Sequence, residues 1–149
     1  MEPLSFSEIF ESSQERKDKA RQIAEKIRLA KNYKWVGLYD VKEEEITIIS
    51  SSGRSEPAFT SFPKDKGLNG RAVTQRQTVI VNDTDKDEDY LLTFTNTKSE
   101  IIVPVFAIDG QTISGTIDAE GEEKNAFSKA DADFLEGCAV AIRSLWNNN

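Results

Sequence analysis

Residues 99–120 read SEIIVPVFAIDGQTISGTIDAE. Two runs rich in β-branched and apolar residues, Glu100 to Ile108 and Thr112 to Glu120, flank the dipeptide Asp109-Gly110. Asp-Gly between such runs is the strongest short-range hairpin signal, because both residues tolerate the positive φ of a tight turn. Strand side chains alternate between faces. Asp118 and Glu120 therefore share one face, and Glu100 opens the neighbouring strand of the same hairpin. Three carboxylates can converge at one end of the sheet. Carboxylates gathered away from water invite a cation or take up a proton, so the group is a candidate seat for an ammonium or another positive ligand.

Upstream, Trp35 to Val41 alternates Trp35, Gly37 and Tyr39 on one face with Val36 and Leu38 on the other. Together with Glu45 to Ser50 it predicts a second hairpin around Lys42-Glu43-Glu44. The Trp35 and Tyr39 rings are expected to flank the space that Gly37 leaves, as a pocket wall or as core aromatics. Residues 51–66 read as loop with a short strand near Phe59, Gly67 to Thr74 as a short helix, Thr78 to Val81 as a strand, and 82–98 as a long loop with a helical turn at Tyr90–Leu92.

The ends read as helices. Ala20, Ile23, Ala24, Ile27 and Ala30 keep helical spacing, with Ser5-x-x-Glu8 as a capping box and Asn32 as a left-handed stop. Phe134, Leu135, Cys138, Ala141, Ile142 and Leu145 form the last stripe, entered through Ser128-x-x-Asp131. The 149 residues suit one domain: an N-terminal helix at about 7–31, sheet and pocket at about 33–121, and a C-terminal helix at about 128–146. The order predicts an α+β fold with the terminal helices on one face of an antiparallel sheet.

Composition narrows the function. Asp and Glu number 26 against 19 Lys and Arg, a net charge of −7 that repels nucleic acid. Histidine is absent and Cys138 is the single cysteine. Within these residues that excludes His-based triads and zinc sites, haem on a proximal His, internal disulfides and cysteine clusters. Met1 to Phe10 carries no basic segment of the signal-peptide kind, and no apolar run reaches the ~18 residues of a membrane span. The expected setting is cytoplasmic, without membrane or nucleic-acid partners.

Weaker motifs read as ordinary structure. Asp83, Asp85, Asp87 and Asp89 mimic the start of a calcium loop, but Glu88 and Phe94 stand where the turn glycine and the closing Glu belong. Gly67-x-x-Gly70 lacks the Lys-Ser/Thr of a phosphate loop and reads as a tight turn into a helix. Cys138, on an apolar stripe, reads as core, and no metal site is expected.

The chain resembles a GAF domain. The resemblance rests on Tyr33-Lys34-Trp35-Val36-Gly37-Leu38-Tyr39, Gly67-Leu68-Asn69-Gly70-Arg71-Ala72-Val73, Ser99-Glu100-Ile101-Ile102-Val103-Pro104-Val105 and Gly115-Thr116-Ile117-Asp118-Ala119-Glu120, with Ala126-Phe127-Ser128 and Asp131 at the entry to the last helix. It implies a GAF-like (PAS-like) α+β fold: an antiparallel sheet, N- and C-terminal helices on one face, and a loop-covered pocket on the other. Within that family the chain is most similar to stand-alone free methionine-(R)-sulfoxide reductases. This implies a ligand-binding role for Trp35, Tyr39, Glu100, Asp118 and Glu120, with Glu120 where Asp is usual. The cysteines of those reductases fall on Asn69, near Phe59 and near Thr93, none of which can carry thiol chemistry. The expectation is a non-catalytic domain that binds a small amine-bearing ligand such as an amino-acid derivative, needs no cofactor, catalyses nothing and signals through a protein partner or a homodimer. The alternatives are a diverged reductase and an interaction module with a vestigial pocket. A cyclic-nucleotide role fits less well, since the matching pattern reduces to Phe127-x-x-x-Asp131 and the acids repel phosphate.

Overall fold

The strand at the middle of the molecule is the one with the least choice of conformation. Trp35–Val41 (β1) is β-branched and aromatic, and it takes a partner on each side. The computed structural model describes residues 4–53, 56–91, 94 and 96–146. Its elements run Ser7–Glu11 (α1), Arg16–Lys31 (α2), β1, Glu45–Gly53 (β2), Ser61–Pro63 (β3), Gly67–Gln75 (α3), Val79–Val81 (β4), Ser99–Phe106 (β5), Ile113–Gly121 (β6) and Lys129–Ala141 (α4). The strands form one six-stranded sheet in the order β3-β2-β1-β6-β5-β4, and every pairing is antiparallel.

One face of the sheet carries the main core. Val36 and Leu38 of β1, Ile117 and Ala119 of β6, and Ile101, Val103 and Val105 of β5 pack with Ile23 and Ile27 of α2, with Leu135 and Cys138 of α4 and with Ile142 just after it. Both helices thus lie on the face expected for them. The opposite face, carrying Trp35, Tyr39, Asp118 and Glu120, is covered as well. The strands β1, β5 and β6 are consequently buried on both sides for most of their length.

Several sequence expectations need correcting. The helix expected over 7–31 is broken into α1 and α2, and the residue before α1, Phe6, makes no side-chain cap, so the Ser5 capping box does not form. Ala30 is exposed, whereas Ala20, Ile23, Ala24 and Ile27 are fully buried. Asn32 does end α2 at φ 58. β2 runs three residues beyond the expected Ser50, and the edge strand expected near Phe59 sits at Ser61–Pro63. The last helix ends at Ala141 and continues as a 3₁₀ turn, Arg143–Trp146. The helical turn expected at Tyr90–Leu92 falls partly on residues outside the described set, as does the tail 147–149.

Both termini are tied to the sheet. Arg16 grips the Asp40 carboxylate with two nitrogens and donates Nε to the Leu145 carbonyl, while Trp146 Nε1 donates to the Tyr39 carbonyl at 3.1 Å. Gly115 is required there, because a Cβ would lie 2.2 Å from Trp146 Nε1. At the entry to α4, Asp131 accepts from the Ser128 backbone N–H at 2.9 Å and from the Tyr33 hydroxyl at 2.6 Å. Asp131→Ala removes both and leaves a buried hydroxyl unpartnered. A loss of about 1–3 kcal/mol is expected, read as a fall in Tm of several degrees.

Candidate functional site

On the second face the register of three strands brings the acids together. Glu100 stands opposite Glu120 and Ile102 opposite Asp118 across β5 and β6. Gly37 and Trp35 of β1 stand opposite Asp118 and Glu120. The carboxylates are buried, with exposures of 4% for Glu100, 2% for Asp118 and 1% for Glu120. One oxygen from each lies within 4.8 Å of the others, a spacing that can hold a metal ion or wrap an ammonium group. No described lysine or arginine makes an ion pair with Glu100 or Asp118.

The polar support is built from neutral groups. Asn69, on α3, donates Nδ2 to Asp118 Oδ2 at 2.9 Å, and its own Oδ1 accepts from the Thr116 hydroxyl at 2.5 Å. The Thr97 hydroxyl donates to Glu120 Oε1 at 2.6 Å. Asp118 Oδ1 receives nothing from an N–H or a hydroxyl.

Burial sets the protonation. It pushes Glu100 well above the ordinary carboxylate range, and the charges of Asp118 and Glu120 push it further. Asp118 is raised to about 6 by burial, against the hydrogen bonds from Glu100 and Asn69 that favour its charged form. Burial, followed by the negative charges of Asp118, Glu100 and Glu120, keeps the Tyr39 hydroxyl protonated. The site thus sets Glu100, which burial and its neighbours bias toward the protonated form, beside Asp118, whose charged form is favoured by hydrogen bonds.

The aromatic residues share this face but do not frame a gap. The Trp35 indole itself lies over Gly37, where a Cβ would come 2.3 Å from its Cη2. The glycine admits the ring, and the space expected between the two rings is filled. Trp35 meets Phe94 edge-on at 5.5 Å, and its Nε1 is buried without a hydrogen bond. Tyr39 packs against Phe62 at 5.8 Å. A small cavity of about 20 Å³ borders Glu100, Asp118, Asn69 and Tyr39, with Phe59 and Leu91 also in its lining. It is the size of a single water molecule, so a larger ligand requires the lining to rearrange.

Asn69, Thr97, Thr116 and Phe94 belong to this arrangement and were not among the expected site residues. Thr116 was findable, since it lies on the strand face of Asp118. Thr97 and Phe94 arrive on a loop whose path no periodicity encodes. Of the positions matched to reductase cysteines, Asn69 contacts Asp118, Phe59 borders the cavity, and Thr93 lies outside the described residues. Cys138 is in the helix-side core, its thiol pushed up to about 12 by burial. The Asp83–Asp89 run is tied by ion pairs to Arg71, Lys98 and Lys124.

The comparisons agree with this geometry. A family model described as GAF domain matches residues 12–144. The chain belongs to the GAF domain family. It is 34% identical over 115 residues to the free methionine-R-sulfoxide reductase of Saccharomyces cerevisiae, a match covering 76% of this chain and 63% of the yeast protein. It is 31% identical over 104 residues to GAF domain-containing protein A of Dictyostelium discoideum, covering 70% of this chain and 64% of that protein. The chain thus spans under two thirds of the length of either relative. Among solved structures it resembles the free methionine-R-sulfoxide reductase of Neisseria meningitidis in complex with its substrate, at TM-score 0.83 and 26% identity, covering 95% of this chain and 83% of that one. It also resembles the type II enzyme of Thermoplasma acidophilum, at TM-score 0.77 and 29% identity, covering 88% of this chain and 94% of that one. These relationships to named reductases overturn the expectation that this GAF domain is not an enzyme.

Two outcomes follow from the geometry. Gly37→Ala must displace the Trp35 ring, with a cost of about 1–3 kcal/mol and a changed indole signal in near-UV circular dichroism. Asp118 binds a proton more tightly folded than unfolded, so its contribution is intact below about pH 4 and is lost as pH rises through about 6. Asp118→Asn keeps the Asn69 contact without the buried charge. Its Tm is expected to exceed that of the parent by several degrees at pH 7.5, and the gain is expected to vanish near pH 4.

Proposed function

We propose that this GAF domain binds a small free amino acid through its ammonium group, seated on Glu100, Asp118 and Glu120, with Trp35 and Tyr39 beside its body. The observation that carries this reading is the convergence of three buried carboxylates with no lysine or arginine paired to Glu100 or Asp118 among the described residues. An ammonium supplies the missing positive charge and up to three donors. Free methionine sulfoxide is the first candidate, because the yeast relative and two of the structural neighbours are named for acting on it.

A second reading, favoured by those names, is that the bound sulfoxide is reduced here. The balanced reaction takes two thiols. The sulfur–oxygen bond breaks, the oxygen leaves as water with two protons, and the thiols leave as a disulfide. In this reading Glu100, which burial biases toward its protonated form, takes the sulfoxide oxygen as proton donor, and the ammonium rests on Asp118 and Glu120. The one cysteine of this sequence lies in the core on the other side of the sheet, so the thiols in this reading come from an external dithiol reductant.

Calorimetric titration with L-methionine-R-sulfoxide tests the binding. Saturable binding is expected, about tenfold weaker or worse in Glu100→Gln and Asp118→Asn, and weaker at pH 5 than at pH 7.5 as Asp118 protonates. Unchanged affinity in both variants would sink the site assignment. Turnover with an added dithiol tests the second reading, and Cys138→Ser is expected to leave it intact.

A further inference from the structure

A second concavity lies at the far edge of the sheet, away from the acids. β4 pairs only with Glu100–Ile102, so the rest of β5 has β6 on one side and no strand on the other. Pro104, which lacks an N–H, sits in this uncovered stretch and disfavours strand addition there. The edge instead forms one wall of an open groove of about 420 Å³, between β5, the turn that follows α3, and α4. That volume is in the range that takes small ligands.

The lining combines apolar surface with positive charge. Val103, Phe106 and Val140 supply the apolar part, and Val140 is 60% exposed. Arg76 and Arg143 supply two guanidinium groups. Arg76 is anchored, donating to the Gln111 carbonyl and lying 5.3 Å from the Phe106 ring centre. Arg143 makes no ion pair among the described residues, and its Nε is buried, so the guanidinium can meet a groove ligand only through its terminal nitrogens. Among the described residues no carboxylate forms an ion pair with either arginine; Asp109 is close enough to feel the Arg76 charge, and Glu136, the acid in the lining, accepts from the Thr78 hydroxyl at 2.5 Å.

We propose that this groove is a binding site for a small organic acid, a carboxylate carried on an apolar body. The carboxylate meets the guanidinium groups of Arg143 and Arg76, and the body lies on Phe106, Val103 and Val140. A cationic ligand is disfavoured by the two guanidinium charges. The site shares no residue with the carboxylate trio and does not depend on what that trio binds.

Phenylbutyrate is a suitable probe, with phenylbutyramide as its neutral counterpart, in an ¹⁵N-¹H correlation titration of the full chain. Phenylbutyrate is expected to give saturating shifts at the Phe106, Val140 and Arg143 amides while those of Glu100 and Asp118 stay in place. The amide is expected to bind about tenfold more weakly or worse, and Arg143→Gln to weaken the acid by a similar factor. Val140→Asp sets a negative charge on an exposed rim position without touching the core, and it is expected to weaken phenylbutyrate as well, which keeps the test decisive if Arg143→Gln does not fold. Shifts that do not saturate, equal binding of acid and amide, or full binding by Val140→Asp would overturn the proposal.

Discussion

Three carboxylates buried side by side on adjacent strands are the constraint around which this molecule is arranged. Each loses its hydration and faces two like charges, so the trio opposes folding unless protons, hydrogen bonds or a bound cation answer it. The fold answers part of that cost locally. Asn69 and Thr97 donate directly to Asp118 and Glu120, Thr116 orients Asn69, and Glu100 is biased toward its protonated form. The apolar layer between the sheet and α2 and α4 contributes stability against what is left of that cost. One face of the sheet thus stabilises what the other face strains.

That division explains the glycines. Gly37 lets the Trp35 indole lie over β1 on the face that carries the acids, and Gly115 lets Trp146 lie on the helix side. A large ring on each surface fills space beside the central strands. The cavity beside Glu100 and Asp118 is small, and its lining must rearrange before a larger ligand is admitted.

Kinship with named reductases means that the cysteine count cannot by itself exclude an enzyme. Counting cysteines measures which thiols a sequence owns, not which reactions its pocket can support. Burial biases Glu100 toward its protonated form beside Asp118, whatever thiols the sequence carries. The groove at the β5 edge has the opposite character, positive and apolar, and the two concavities on one small domain are suited to ligands of opposite charge.

Much of this was written in the sequence. The Asp109-Gly110 hairpin, the alternation through Trp35–Tyr39 and the stripe Ala20–Ile27 determined the strands, the faces and the helix layer, because each depends on spacing within a single element. The convergence of Glu100, Asp118 and Glu120 followed from the same period of two. Other features depended on how separate elements meet, and only the tertiary structure decided them. Asn69 became a donor to Asp118 because α3 packs across the sheet, and Thr97 reached Glu120 along a loop with no repeat to read. The Trp35 ring chose the space over Gly37 rather than a place beside it. The expected helix over 7–31 broke before Arg16, whose fork is committed to Asp40 and the Leu145 carbonyl, partners distant in sequence. Local pattern records which face a side chain takes. What it touches there is set by elements whose approach the pattern does not contain.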